Sequence, residues 1–243
     1  MNRLAHAAAL AAFLALSPAL AKDDAAPVSC PAVIAGATRL MLVRSPDLAS
    51  LSAQVQLYER PSGKRWRSVG APKPAVLGKN GMAWSFAHEG LAEGAPLKRE
   101  GDRRTPAGVF ALGKPFGFAE SDMAGYVPLR LGEHYCVDDP ASPHYNAVVT
   151  KAAAAGASGE DMAAMPLYRR GLFVDYPTSR EAKGGSCIFV HSWRSKSSGT
   201  AGCVALGEAD VEALQRWSAG GKTLIAILPQ SAWERLRSCF PGL

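Results

Sequence analysis

The 243 residues are 48% hydrophobic and 20% charged, an ordinary globular balance that excludes an intrinsically disordered chain. The formal charge of +6 comes from Lys and Arg scattered along the sequence, without the basic stripe and interleaved aromatics of a nucleic-acid surface. This length suits one large domain with its own core.

In chain order, Arg3, an apolar run from Ala7 to Leu16, Ser17-Pro18 and the small-residue site Ala19-Leu20-Ala21 read as a cleavable secretory signal over residues 1–21. The run is shorter than the ~20 residues a bilayer span needs, so no membrane span is expected after cleavage. Residues 22–37, rich in Ala, Asp and Pro, read as a tether, and the folded domain is expected over 38–243. Strand-like runs then recur between Gly and Pro punctuation: Leu40 to Val43, Gln54 to Tyr58, Gly108 to Leu112, Tyr126 to Leu131, Leu172 to Tyr176, Cys187 to Trp193 and Thr223 to Leu228. The spacing of Val211, Leu214 and Trp217, stopped by Gly220-Gly221, predicts a helix, and the Ala-rich stretch from Lys151 to Met165 a less regular one. The expected fold is mainly β with a few helices.

The sequence holds five cysteines, all beyond the leader, and an odd number in an oxidising compartment leaves one thiol over. Four cysteines pair in three ways, which the sequence leaves open; a bridge from Cys30 to Cys239 would staple the two ends. His88, His134 and His144 lack ligand spacing and no Cys-x-x-Cys occurs, so no metal and no cofactor are expected. Asp138-Asp139 before Pro140 reads as a turn.

The informative segment runs from Gly185 to Leu206. Strand alternation places Cys187, Phe189, His191 and Trp193 on one face, with His191 at the strand end. Cys187 lies about 13 Å back along an extended strand, too far for proton transfer, and is expected to be structural. Cys203 follows a polar turn that folds the chain back toward the imidazole, the partner a thiol near pKa ~8.5 needs to become a nucleophile. Gly202, lacking a Cβ, lets the chain turn tightly there, and the Gly202 and Cys203 amides are the candidates for an oxyanion hole. An inert core cysteine beside a satisfied strand histidine is the plainer alternative.

His191, a polar loop and Thr200-Ala201-Gly202-Cys203 resemble the active-site motif of the L,D-transpeptidase catalytic-domain family. The resemblance extends to Gly78–Trp84, Gly101–Phe110 and Cys136–Asn146, covering residues 38 to 229. It implies a β-sandwich-like domain in which Cys203 attacks the diamino-acid carbonyl of a peptidoglycan stem peptide, with His191 as base and Thr200 and Gly202 in support. An amine acceptor gives a cross-link, and water gives an L,D-carboxypeptidase or wall-peptide hydrolase. A non-catalytic wall-binding module is the third possibility. The chain departs from the commoner motif at Ala201, where histidine is usual, and at Ala205, where arginine is usual; Arg194 is the candidate replacement cation for binding substrate. Sortase-like enzymes also place histidine first, but over a longer separation than the eleven residues between His191 and Cys203.

Overall fold

A computed structural model describes residues 29–61 and 64–243; the leader reading lies outside the described residues. The strands are β1 (Arg39–Ser45), β2 (Ser52–Glu59), β3 (Arg67–Val76), β4 (Met82–Trp84), β5 (Thr105–Gly117), β6 (Val127–Pro128), β7 (Tyr135–Val137), β8 (Val148–Val149), β9 (Gly159–Asp161), β10 (Arg170–Asp175), β11 (Phe189–Ser192), β12 (Val204–Leu206) and β13 (Thr223–Pro229). Helix α1 (Glu208–Ser218) lies between β12 and β13, and α2 (Gln230–Leu236) follows β13.

The order β10-β11-β12-β3-β2-β1-β13-β5 closes on itself because β5 also pairs with β10. Leu40 to Val43 of β1 and all of β13 are buried, as expected for strands covered on both faces. The two pair in parallel, Leu40 opposite Leu224. Closure depends on the 13-residue β5, whose first half meets β13 and whose second half meets β10. At that second junction the fully buried Gln215 of α1 donates to the carbonyls of Phe116 and Gly171, at 2.7 and 2.8 Å, tying the helix to both strands.

Side-chain alternation along β11 divides the interior. Val190, with Ile188 just before the strand, joins the main core, while Phe189 joins a second cluster with Phe116, Tyr168 and Cys203. Edge-on rings hold this second cluster, with Phe189 5.7 Å from Phe116 and 5.4 Å from Tyr168. Such a pair contributes about 0.5–1.5 kcal/mol beyond its buried area.

Several expectations change. Strand β3 was not predicted: it carries Gly70, Pro72 and Pro74 and is largely exposed. Prolines are tolerated because its outer edge meets β12 only at Val76–Ala205. Strand β11 is shorter than Cys187–Trp193, since Cys187 has φ +54° and leaves the extended conformation. The run Tyr126–Leu131 supplies only the two residues of β6. No helix spans Lys151–Met165; Gly156, at φ +85°, ends a turn there and β9 follows, where Glu160 pairs with Cys136 of β7. Strands β8, β7 and β9 form a small separate antiparallel sheet.

Two disulfides are present, Cys30–Cys239 and Cys136–Cys187, and Cys203 is free. The first fixes a segment read as tether: Ala32–Ile34 forms a 3-10 turn, and Ile34 and Ala37 are buried. Among the described residues no helix is long and apolar enough to cross a membrane.

Candidate active site

His191 and Cys203 come to one cleft because β11 and β12 lie side by side in parallel, with His191 opposite Ala205. The connection therefore crosses over instead of making the simple fold-back expected from the polar turn. It delivers Cys203 beside Phe189, whose N–H lies 3.4 Å from the Cys203 sulfur. The thiol in turn donates to the Cys187 carbonyl at 3.4 Å. Cys187 is thus next to the thiol through its backbone, while its own sulfur is held by Cys136.

Thr200 ties the cysteine loop. Its hydroxyl accepts the Gly202 N–H at 3.1 Å and donates to the Cys203 carbonyl at 2.7 Å. The Thr105 hydroxyl reaches the same carbonyl at 3.2 Å and accepts the Gly78 N–H at 2.8 Å. Lys79 donates its backbone N–H to the Thr200 carbonyl, so segments 78–80, 103–105 and 200–203 are stitched together. A Cβ at Gly202 would stand 3.2 Å from the Arg104 carbonyl, tighter than ordinary contact, which accounts for glycine there. The Gly202 N–H, a candidate oxyanion donor, is directed at the Thr200 hydroxyl and supports the loop in this arrangement.

The His191 ring is buried, and its Nδ1 lies 2.8 Å from the Ser192 carbonyl. A carbonyl only accepts, so Nδ1 carries the proton and Nε2 is the basic nitrogen. Burial drives the imidazole pKa down to about 4, against the opposing pull of the Ser192 carbonyl. Burial, followed by the Glu160 charge, pushes the Cys203 thiol up to about 12. At rest the pair is neutral: thiol and uncharged imidazole.

Both residues line a cleft of about 590 Å³. Lys79, Arg103 and Arg194 contribute cations to its walls, and Glu160 one carboxyl. Arg103 holds φ +56°, an uncommon conformation for a side-chain-bearing residue and one that recurs at functional sites. Glu160 and Tyr168 carried no signal in the sequence, since both lie in or next to the stretch read as a helix. A larger concavity of about 920 Å³ at Cys30, His88 and Arg235 includes neither Cys203 nor His191.

A family model described as the L,D-transpeptidase catalytic domain (YkuD) matches residues 48–227. The chain belongs to this family. The L,D-transpeptidase catalytic domain thus takes in the stitched loops, His191, Cys203 and all strands from β2 to β12. The family acts on peptidoglycan peptides. No curated protein matches the sequence. Among solved structures, the helical cell shape determining protein Pgp2 from Campylobacter jejuni is similar at 16% identity, over 83% of this chain and 53% of that one, with a TM-score of 0.42. Its K307A mutant is similar at 16% identity, over 84% and 53%, also at 0.42. The chain spans about half the length of these structures.

Within this L,D-transpeptidase domain Ala205 is buried at the register position opposite His191 and lines the same cleft. Arg194, the candidate substrate cation, is exposed on the cleft wall. Among the described residues no group of three or more His, Cys, Asp or Glu is arranged to hold a metal.

Proposed function

We propose that the chain is an exported cysteine acyltransferase acting on peptidoglycan stem peptides, with Cys203 as nucleophile and His191 as its base. The observation that carries this reading is the free Cys203 thiol facing one cleft with an imidazole whose Nδ1 is anchored on Ser192. Two disulfides suit an oxidising compartment and so support export.

In the proposed reaction Nε2 of His191 takes the thiol proton as the sulfur attacks the carbonyl of the diamino-acid residue. The separated resting values, about 12 for the thiol and about 4 for the imidazole, disfavour this transfer in the resting protein, so the site has to stabilise the charge that forms on sulfur. The tetrahedral intermediate collapses, the C–N bond breaks, and His191 returns the proton to the departing D-alanine amine. The thioester on Cys203 is then attacked by the amine of a second stem, giving an L,D cross-link and restoring the thiol. The cationic walls formed by Lys79, Arg103 and Arg194 suit a peptide that carries free carboxylates.

A second reading uses water as the acceptor and makes the enzyme an L,D-carboxypeptidase. The apolar Ala201 and Ala205 favour it, because neither offers a polar group to orient an incoming amine. Incubating wild type and Cys203→Ala with a disaccharide-tetrapeptide separates the readings by product mass. A dimer means transfer and a tripeptide monomer means hydrolysis. Substrate unchanged by both proteins rejects the acyltransferase reading for that donor and leaves a wall-binding module, for which a thiol-acylating β-lactam would give no Cys203 adduct.

A further inference from the structure

The cleft contains a buried phenol and a carboxyl that the reaction above leaves without a role. Tyr168 comes from the 3-10 turn Pro166–Arg169, and its ring meets the His191 imidazole at 5.1 Å and 68°. Its hydroxyl donates to Glu160 Oε1 at 2.6 Å. Tyr168 also packs in the same buried cluster as Cys203, and the two line one chamber with Glu160. Glu160 lies on β9, opposite Cys136 of β7, and Cys136 is bridged to Cys187, the residue whose carbonyl receives the thiol proton. One covalent staple therefore links the sulfur's neighbourhood to the carboxyl that holds the phenol.

The phenol has one proton to donate, and Glu160 accepts it. While sulfur is a thiol its own proton goes to the Cys187 carbonyl, and the phenol stays with Glu160. Once the thiol proton passes to Nε2 of His191, the sulfur becomes an anionic acceptor in a buried site, where a charge-assisted hydrogen bond is strongest.

We propose that Tyr168 donates its hydroxyl to the Cys203 thiolate as that charge forms, and that Glu160 restrains this step by retaining the phenol and by repelling the thiolate. No covalent bond to Tyr168 breaks; the phenol keeps its proton and changes acceptor. The proposal rests on Cys203 being the nucleophile.

Other charged groups around the sulfur are accounted for. Lys98 lines the chamber and is closed into an ion pair with Asp102 at 2.6 Å. Glu100 is held by the hydroxyls of Tyr145 and Ser186, and Asp138 by that of Ser158. Lys79, Arg103 and Arg194 lie along the open cleft, and His191 is the base itself. Glu160 is the carboxyl shared by the cleft and a smaller chamber of about 130 Å³ behind Cys203. The electrostatics agree in sign. Burial and Glu160 push the thiol up, while the Phe189 N–H, Tyr168 and Lys98 bring it down. Burial raises Glu160 too, against the Tyr168 hydrogen bond.

The test is the rate of iodoacetamide labelling at Cys203 around neutral pH, read by intact mass with both disulfides formed, for wild type, Tyr168→Phe and Glu160→Gln. Tyr168→Phe is expected to label about tenfold more slowly and Glu160→Gln about tenfold faster, each equivalent to one pKa unit. A pocket merely loosened by substitution hydrates the thiol and speeds labelling in both variants, which would overturn the proposal. Labelling of Tyr168→Phe at the wild-type rate would overturn it as well, and this variant decides alone if Glu160→Gln does not fold. Equal or slower labelling of Glu160→Gln removes Glu160 from the mechanism. Labelling needs no peptide, so its outcome is independent of the donor assay.

Discussion

Cys136 and Cys187 are bridged across 51 residues, fixing the three-stranded β8-β7-β9 sheet to the segment that enters β11. Because the Cys187 carbonyl receives the Cys203 thiol, this bridge also sets one wall of the candidate site. Replacing both cysteines by alanine should cost about 4 kcal/mol from loop entropy alone. Chemical unfolding measures that loss. Iodoacetamide labelling of Cys203 should accelerate at the same time, since water reaches the thiol once Cys187 is released.

Stability should fall on acidification because of His191. Its pKa is lowered from 6.5 to about 4 in the folded protein, so the unfolded chain binds the proton more readily below pH 6.5. The contribution is intact above about 6.5 and is lost as pH falls toward about 4, a cost on the order of 3 kcal/mol at 1.36 kcal/mol per unit. His191→Gln should flatten the unfolding free energy across that window, and an unchanged pH slope would contradict the burial argument.

Thr200→Val keeps the shape of the side chain but removes the acceptor for the Gly202 N–H and one donor to the Cys203 carbonyl. Thr105 still reaches that carbonyl, so the Gly202 amide is the group left unpaired. A loss of about 1–3 kcal/mol is expected, together with reduced turnover per folded molecule. Thr200→Ser should restore most of both.

Gln215→Leu strips two buried carbonyls, on Phe116 and Gly171, of their side-chain donor. The expected destabilisation is on the order of 3 kcal/mol in chemical unfolding. Backbone amide exchange should rise first at the β5–β10 junction, where the strand path closes.

Arg194→Ala should raise KM for a tetrapeptide donor about threefold to tenfold with kcat little changed, the pattern of lost ground-state binding. A donor whose terminal carboxylate is amidated should show a smaller effect. Equal KM for wild type and variant on the free acid would leave the anionic peptide to Lys79 and Arg103.

Much of the architecture was legible where burial and periodicity coincide. Leu40–Val43 and Thr223–Leu228 are continuous apolar runs because β1 and β13 are covered on both faces. Val211, Leu214 and Trp217 mark α1, which buries Val211 and Leu214. Strand β3 was hidden because it is held by backbone pairing to β2 while its side chains face water. The Ala-rich stretch misled because Gly156 and the pairing of β9 with β7 override its local helix preference.

By itself the sequence determined the thiol and imidazole in question, Cys203 after Gly202 and His191 at a strand end, together with an odd cysteine count and a mainly β fold. Those features are local in the chain or follow from counting. Only the tertiary structure decided which cysteines pair, that β11 and β12 run in parallel, that Thr200 occupies the Gly202 amide, and that Tyr168 and Glu160 share a chamber with Cys203. Each of these depends on which strands become neighbours, and that is set by burial of the whole core, with no trace in the residues nearby.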